Sequence, residues 1–298
     1  DVYKRQMLEL LAPAGNLDAV IAAVQNGADA VYMGFGDGFN ARRSADNFTR
    51  ESFAKAVRYC HIRGCKVYVT LNTLVGDREM EAAAALAQQA SDAGADAILV
   101  QDLGLARVLR DALPDIPLHA STQMSIHNLA GVEAAAEMGI TRAVLSRELS
   151  LEQIRFISQH ASIETEVFVH GALCFCYSGQ CYMSALIGRR SGNRGMCAQP
   201  CRMQYSLGGR MDDYPMSLKD NCLVDRLREL EDAGVACLKI EGRMKRPEYT
   251  AIVTKIYSKA LKEHRQPSDE EMETLEKAFS RQGFTQGYFN GDKKDMFG

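Results

Sequence analysis

Four cysteines set out the chemistry this sequence can do. Cys174, Cys181, Cys197 and Cys201 are separated by six, fifteen and three residues within the stretch from Glu166 to Cys201. Thiolates bind soft metals and iron–sulfur clusters, and four around one loop are a full ligand set for zinc or for a 4Fe-4S cluster. The spacing lacks the paired C-x-x-C of zinc ribbons, which favours the cluster. Gly171, Gly179 and Gly195 stand two or three residues before candidate ligands, where backbone N–H groups can come close to sulfur. No Asp or Glu occurs from Val167 to Met211, whereas Arg189, Arg190, Arg194, Arg202 and Arg210 do. An anion belongs there: the cluster itself, or a phosphate or carboxylate ligand. The plainer readings are thiols packed as small hydrophobes, and arginines that offset cluster charge or face water.

The other cysteines read differently. Cys60 and Cys65 fall at a helix end and its turn, and Cys237 begins a strand, so burial explains them, with Cys237 a substitute for the fourth ligand. Cys176 lies near His170 in sequence, and a thiol beside a base is the minimum for a peptidase nucleophile. No H-E-x-x-H or G-x-S-x-G motif accompanies it.

These groups need a frame. From Leu8 onward short apolar runs alternate with helical patterns: LELLAPA, AVYMGF, KVYVTLN, AILVQD, LHAST, RAVLSRE, TEVFVHG and CLKIEG, with helices over 17–26, 51–63 and 79–93 among them. Gly27, Gly94, Gly139 and Gly234 each close a helix a few residues before a strand, as the helix-to-strand turn of a wound α/β protein requires. Eight strands predict a (β/α)8 TIM-like barrel over 7–265, with a cysteine- and arginine-rich insertion over about 174–220 after the seventh strand. A doubly wound open sheet is the competing fold; no Gly-rich dinucleotide turn follows the first strand. Residues 1–6 read as a translation or cloning scar, and 266–298 as the start of a C-terminal extension that is cut short.

A barrel gathers its functional groups where strands finish. Those ends carry Asn72, Gln101, Asp102, Ser121, Gln123, Arg147, Glu148, His170, Glu241 and Arg243, and a two-residue period puts His119, Ser121 and Gln123 on one face. Each has a plainer reading: His119 as a satisfied core histidine, Glu148 as the opening of a helix, Glu241 with Arg243 as a rim ion pair.

Composition narrows the class. The 298 residues are 46% hydrophobic and 24% charged with a net charge of -3, so any attraction to nucleic acid is local. No apolar run reaches the roughly 18 residues of a membrane span, and no signal peptide opens the chain; a cytoplasmic protein is the default. Nine cysteines there are not a disulfide framework.

The stretch EVFVHGALCFCYSGQCYMS, with Glu166, Phe168, Gly171, Ala172, Leu173, Cys174, Gly179, Cys181 and Ser184, resembles the signature of the collagenase-like peptidase family U32. LELLAPAGN, GADAVYMG, HASTQ, LSRELS, NRGMCAQPCR, SLKDN and KIEGR resemble it too, over nearly all of Met7 to Gly287. The resemblance implies an oxygen-independent hydroxylase carrying an iron–sulfur cluster more than it implies proteolysis. Branches of the family hydroxylate a tRNA wobble uridine or a ribosomal RNA cytidine with prephenate required, others serve anaerobic ubiquinone hydroxylation, and a few are called collagenases. LNT, VQDLG, HASTQ, SGQC and NRGMCAQPC look closest to the ribosomal RNA cytidine branch. The ligands carried over are Cys174, Cys181, Cys197 and Cys201.

The expected assignments follow. Arg189, Arg190 and Arg194 contact RNA phosphate, with His119, Ser121 and Gln123 on the substrate side. Arg147 and Arg243 form a fork for a dicarboxylate such as prephenate, and His170 or Glu241 moves protons. A non-catalytic cluster-bearing subunit is the other reading.

Overall fold

The computed structural model describes residues 8–36, 38–41, 47–208, 210–212 and 214–297; the leader at 1–6 lies outside them. Short runs rich in Val, Ile, Leu and Ala cannot alternate polar and apolar faces, so their strands must be covered on both sides. The structure does this by closing them into a ring. Strands β1 (Glu9–Pro13), β2 (Ala30–Met33), β3 (Lys66–Leu71), β4 (Ala97–Val100), β5 (Leu118–Ala120), β6 (Arg142–Val144) and β7 (Glu164–Gly171) pair in sequence order, all parallel.

Between β7 and the closing strand come a small antiparallel hairpin, β8 (Tyr205–Leu207) with β9 (Arg210–Asp212), and β10 (Asp220–Cys222), which runs antiparallel to β7. Strand β11 (Cys237–Ile240) then pairs with both β7 and β1 and shuts the barrel, so the open-sheet alternative falls away. The expected insertion after the seventh strand is there.

Helices α1 (Leu17–Gln25), α2 (Arg50–His61), α3 (Met80–Asp92), α4 (Leu103–Ala112), α5 (Leu129–Glu137) and α6 (Leu151–His160) follow the first six strands; α7 (Met183–Gly188) lies in the insertion. Helices α8 (Leu227–Asp232) and α9 (Pro247–Lys262) flank β11. Asn16, Thr49, Asp102, Asn128 and Ser150 each accept a first-turn N–H and fix where a helix starts. Gly27, Gly94, Gly139 and Gly234 have φ of 92°, 95°, 79° and 86°, the left-handed turn the repeat predicts. The segment set apart from 266 onward packs back: α10 (Asp269–Ala278) buries Leu275, β12 (Phe284–Thr285) pairs with β10, and Phe289, after the start of α11 (Gly287–Asn290), is buried. Met296 shares a small core with Leu173 and Leu218.

The barrel interior is charged in its lower half, toward the N-terminal ends of the strands. Lys239 Nζ lies 2.8 Å from Glu166 Oε1, the two side chains 4% and 0% exposed. Arg142 pairs with Glu9 at 2.6 Å and Glu164 at 2.7 Å, and Tyr68 donates to Glu9. His119 stands in this layer, its ring centroid 5.0 Å from that of Tyr68, one step below Ser121. Burial, with Arg142, Lys239 and Lys66 nearby, keeps it neutral. It lines the N-terminal end of the barrel with Lys66 and Arg142, so His119 is not a substrate contact at the mouth. Cys237 is fully buried beside Glu166 and Glu9 in the same region and cannot join the loop cysteines as a fourth ligand. Among the described residues no helix is long and apolar enough to cross a membrane.

Candidate functional site at the barrel mouth

The C-terminal ends of β3, β5, β6, β7 and β11 bring together Thr70, Asn72, Ser121, Gln123, Arg147, Phe168, Lys239, Glu241 and Arg243, with Tyr32 at the edge. Free space inside is about 30 Å³, room for a water or two. Arg243 is 6% exposed and donates to Thr70 Oγ1 at 2.6 Å. Asn72 donates to Ser121 Oγ at 2.9 Å and accepts from Ala41 N, which ties β3 to β5 across the mouth.

Arg147 is the junction of the site. Its guanidinium lies 3.9 Å over the Phe168 ring, pairs with Glu241 Oε2 at 3.1 Å, and donates to Ala172 O at 3.2 Å. The same Nη1 is 3.9 Å from Cys174 Sγ. One side chain therefore touches both the mouth and the thiol loop. Arg147 Nε, Gln101 Oε1, Thr122 Oγ1 and Thr73 Oγ1 are buried without a protein partner. Buried polar atoms are normally paired; of these four residues, Arg147 and Thr122 line the mouth.

The cysteine loop spans the mouth. Burial, then Cys174 and Cys197, push the Cys201 thiol up; burial, then Cys181 and Cys174, do the same to Cys176. A Cβ on Gly192 would touch Cys197 Cβ and Cys181 O. Gln199 N donates to Cys197 Sγ at 3.3 Å. Among the described residues no three His, Cys, Asp or Glu side chains form a ready single-ion site. The donor chemistry suits a cluster: four thiols, no carboxylate in the loop, and N–H donors near two of the sulfurs.

Four expected assignments change. His170 is on the wrong side of its strand. β7 spends Phe168 to His170 against the single step from Lys239 to Ile240 in β11, a bulge that turns His170 out of the barrel. There the rings of Tyr257, Phe284 and Tyr249 enclose it, at centroid distances of 5.4, 5.5 and 6.1 Å, and its Nδ1 shares a 3.2 Å hydrogen bond with Tyr257. It cannot move a proton at the mouth, nor activate Cys176, which is hydrogen-bonded to Gln180 O.

Arg194 does not face an RNA phosphate. It is held bidentate by Glu79, at 2.9 and 2.6 Å, and also donates to Leu74 O, fastening the insertion to the loop after β3. That pairing lowers the Glu79 carboxyl to about 2. Asp102 caps α4 and accepts from Val75 N, a structural duty. Arg202 is likewise spent on Ser217 Oγ and the carbonyls of Leu173 and Leu218. The Arg210 side chain lies outside the described residues, and Arg189 and Arg190 remain exposed.

His170 makes a pH prediction. Burial lowers its pKa to about 3, against roughly 6.5 in an unfolded chain. The unfolded state therefore binds the extra proton first as pH falls, so the stability held above pH 6.5 is lost progressively down toward pH 3. Urea denaturation should show a loss on the order of 2 kcal/mol between pH 7 and pH 5, and His170→Phe should flatten that slope. An unchanged slope in the variant would assign the loss elsewhere.

The fold and mouth define a class: a (β/α)8 barrel with polar groups at the C-terminal ends of its strands and a thiol-bearing insertion across them. The solved structure of the U32 peptidase Mk0906 shares this fold, with a TM-score of 0.54 at 15% identity over 80% of this chain and 94% of that one. The chain belongs to peptidase family U32, whose model matches residues 15–296. It is 44% identical over 260 residues to the 23S rRNA 5-hydroxycytidine C2501 synthase of Escherichia coli K12, covering 85% of this chain and 39% of that protein. It is 36% identical over 311 residues to tRNA hydroxylation protein P1 of Bacillus subtilis 168, covering 97% and 73%. A collagenase of Porphyromonas gingivalis W83 is 34% identical over 311 residues, covering 96% and 74%.

Three contributors escaped the sequence reading. Lys239 stands in the apolar strand CLKI, and a charge there signals a buried partner. Ser125, whose Oγ donates to Ser178 O in the cysteine loop, and His127, beside Glu148, gave no such signal.

Proposed function

We propose that this chain is the catalytic barrel of an oxygen-independent RNA hydroxylase acting on a ribosomal RNA cytidine or a tRNA uridine, with prephenate as co-substrate. The observation that carries the reading is Arg147, shared between the mouth and Cys174. The relatives named as rRNA and tRNA hydroxylation proteins support the substrate class.

Arg147 and Arg243 bind the carboxylates of the dicarboxylate, and Arg147 Nε already lacks a partner there. Glu241, across the mouth from Thr70 and Ser121, takes the proton-moving role alone. Cys174, Cys181, Cys197 and Cys201 hold a 4Fe-4S cluster, which supplies one-electron chemistry when bound. RNA lies along the insertion. Arg189 and Arg190 meet phosphate, and the exposed rings of Tyr177 and Tyr182 offer stacking faces to unpaired bases. A peptidase would need a nucleophile–base pair that His170 and Cys176 do not form.

Nucleoside mass spectrometry of tRNA and ribosomal RNA tests this. A strain lacking the gene should lose one hydroxylated pyrimidine, wild type should restore it, and Arg147→Ala should restore about a hundredth or less, since a charged bidentate contact is removed. Arg194→Ala should lower it less than Arg147→Ala does, because that side chain is committed to Glu79 and acts only by fastening the insertion. An unchanged nucleoside profile in the deletion strain overturns the proposal.

A further inference from the structure

The turn between Cys174 and Cys181 is held by a set of residues from two other loops. Glu148, 6% exposed, accepts from Ser178 N at 3.0 Å and Ser178 Oγ at 2.9 Å through one oxygen, and lies 3.1 Å from His127 Nε2 through the other. His127 Nδ1 is 2.7 Å from Ser125 O, so the ring is fixed between that carbonyl and the Glu148 carboxylate. Ser125 Oγ donates to Ser178 O at 2.6 Å and accepts from Gln180 Nε2 at 2.8 Å. Ser125 itself has φ of 60°, a backbone shape that non-glycine residues rarely take without compensation. Gly179 seats the turn: its φ is 77°, and a Cβ there would come within 2.4 Å of Gln123 O and 2.6 Å of Ser125 Oγ.

We infer that Glu148, His127 and Ser125 form a latch that presets the 177–180 turn, and with it Cys174 and Cys181, before any metal binds. This rests on the reading of those cysteines as cluster ligands, and Glu148, His127 and Ser125 are positioning residues that never touch the cluster. The physical reason is entropic. A ligand loop that must order itself on binding loses affinity, whereas a preformed one does not. Ser178 N, Oγ and O are all engaged, so the turn is fastened on both its donor and acceptor sides.

The test uses cluster-free protein first. Hydrogen exchange should show the Ser178 amide exchanging at least about tenfold faster in Glu148→Ala. Iodoacetamide labelling followed by mass spectrometry should show Cys176 and Cys181 reacting several-fold faster, while Cys197 keeps its wild-type rate. Ser125→Ala, a smaller change, should move the same two readouts in the same direction and guards against a Glu148→Ala protein that fails to fold. Glu148→Gln keeps an acceptor for Ser178 and should sit near wild type. Reconstitution with iron and sulfide should then yield a slower rise of visible absorbance for Glu148→Ala and Ser125→Ala, with Glu148→Gln rescued. Wild-type exchange and labelling in both alanine variants would overturn the latch. Faster labelling with no iron uptake by any form, wild type included, would keep the latch and overturn the cluster reading instead.

Discussion

A Cys181→Ala protein purified without oxygen should lose its iron and its nucleoside product together. Wild type is expected to carry about four irons per chain and to be brown, since each thiolate of a 4Fe-4S set holds one iron. Cys181 sits at the end of the latched turn, close to Cys197 across Gly192, with no other acid or imidazole in the loop to stand in for it. Cys176, its neighbour, is tied to Gln180 O. The variant should bind less than a quarter of the wild-type iron and restore none of the modification in the deletion strain. Cys60→Ala, a change in the helix layer well away from the loop, should keep both, because that thiol is fully buried in the apolar core. A colourless wild-type protein would remove the premise. So would a Cys181→Ala protein with full iron content.

Lys239→Met should cost about 3 kcal/mol of folding stability. Glu166 is completely buried, and its nearest cation is Lys239 at 2.8 Å; Arg142 stands further off at 3.6 Å. Removing one partner of a buried pair leaves an uncompensated charge, at a typical cost of roughly 3–5 kcal/mol, and the distant Arg142 places this case at the low end. For a chain of this size the melting temperature should fall by roughly 5 °C. Lys239 also lies 4.3 Å from the centroid of the Tyr32 ring, so some of the loss is cation–π contact. The double variant Lys239→Met with Glu166→Gln removes the stranded charge and should recover most of the stability. Urea midpoints decide it, and a single variant within 1 kcal/mol of wild type would show that Arg142 alone suffices for Glu166.

The barrel was legible because its signals are local. Gly27, Gly94, Gly139 and Gly234 announce their turns through a conformation that other residues resist, and eight uninterrupted apolar runs leave little choice but burial on both faces. The thiol loop was legible through residue type alone. What failed was direction and partnership. The parity of β7 predicts an inward His170, and one extra residue at the bulge reverses it, with nothing in TEVFVHG to mark the place. Arg194 looked free because Glu79 is distant in sequence, and only folding brings the two within 3 Å. His119 was placed on the correct face but at the wrong depth: alternation fixes the side of a strand, while the level along the barrel axis depends on register with its neighbours. Lys239 and Glu166 could have been found, since a charge inside an apolar strand must meet its opposite.

The small core of Leu173, Leu218 and Met296 bears on where this protein can be divided. Its three members come from the end of β7, the far end of the insertion and the last described stretch, and β12 adds a strand beside β10 at the same place. A boundary drawn after the last barrel helix would strip β10 of its outer neighbour and remove a third of that core. Arg202 anchors the loop to Leu173 O and Leu218 O there. The thiol-bearing loop and the residues after 265 are thus one cooperative unit, separable on paper by sequence and in the molecule only at the cost of the ligand loop's footing.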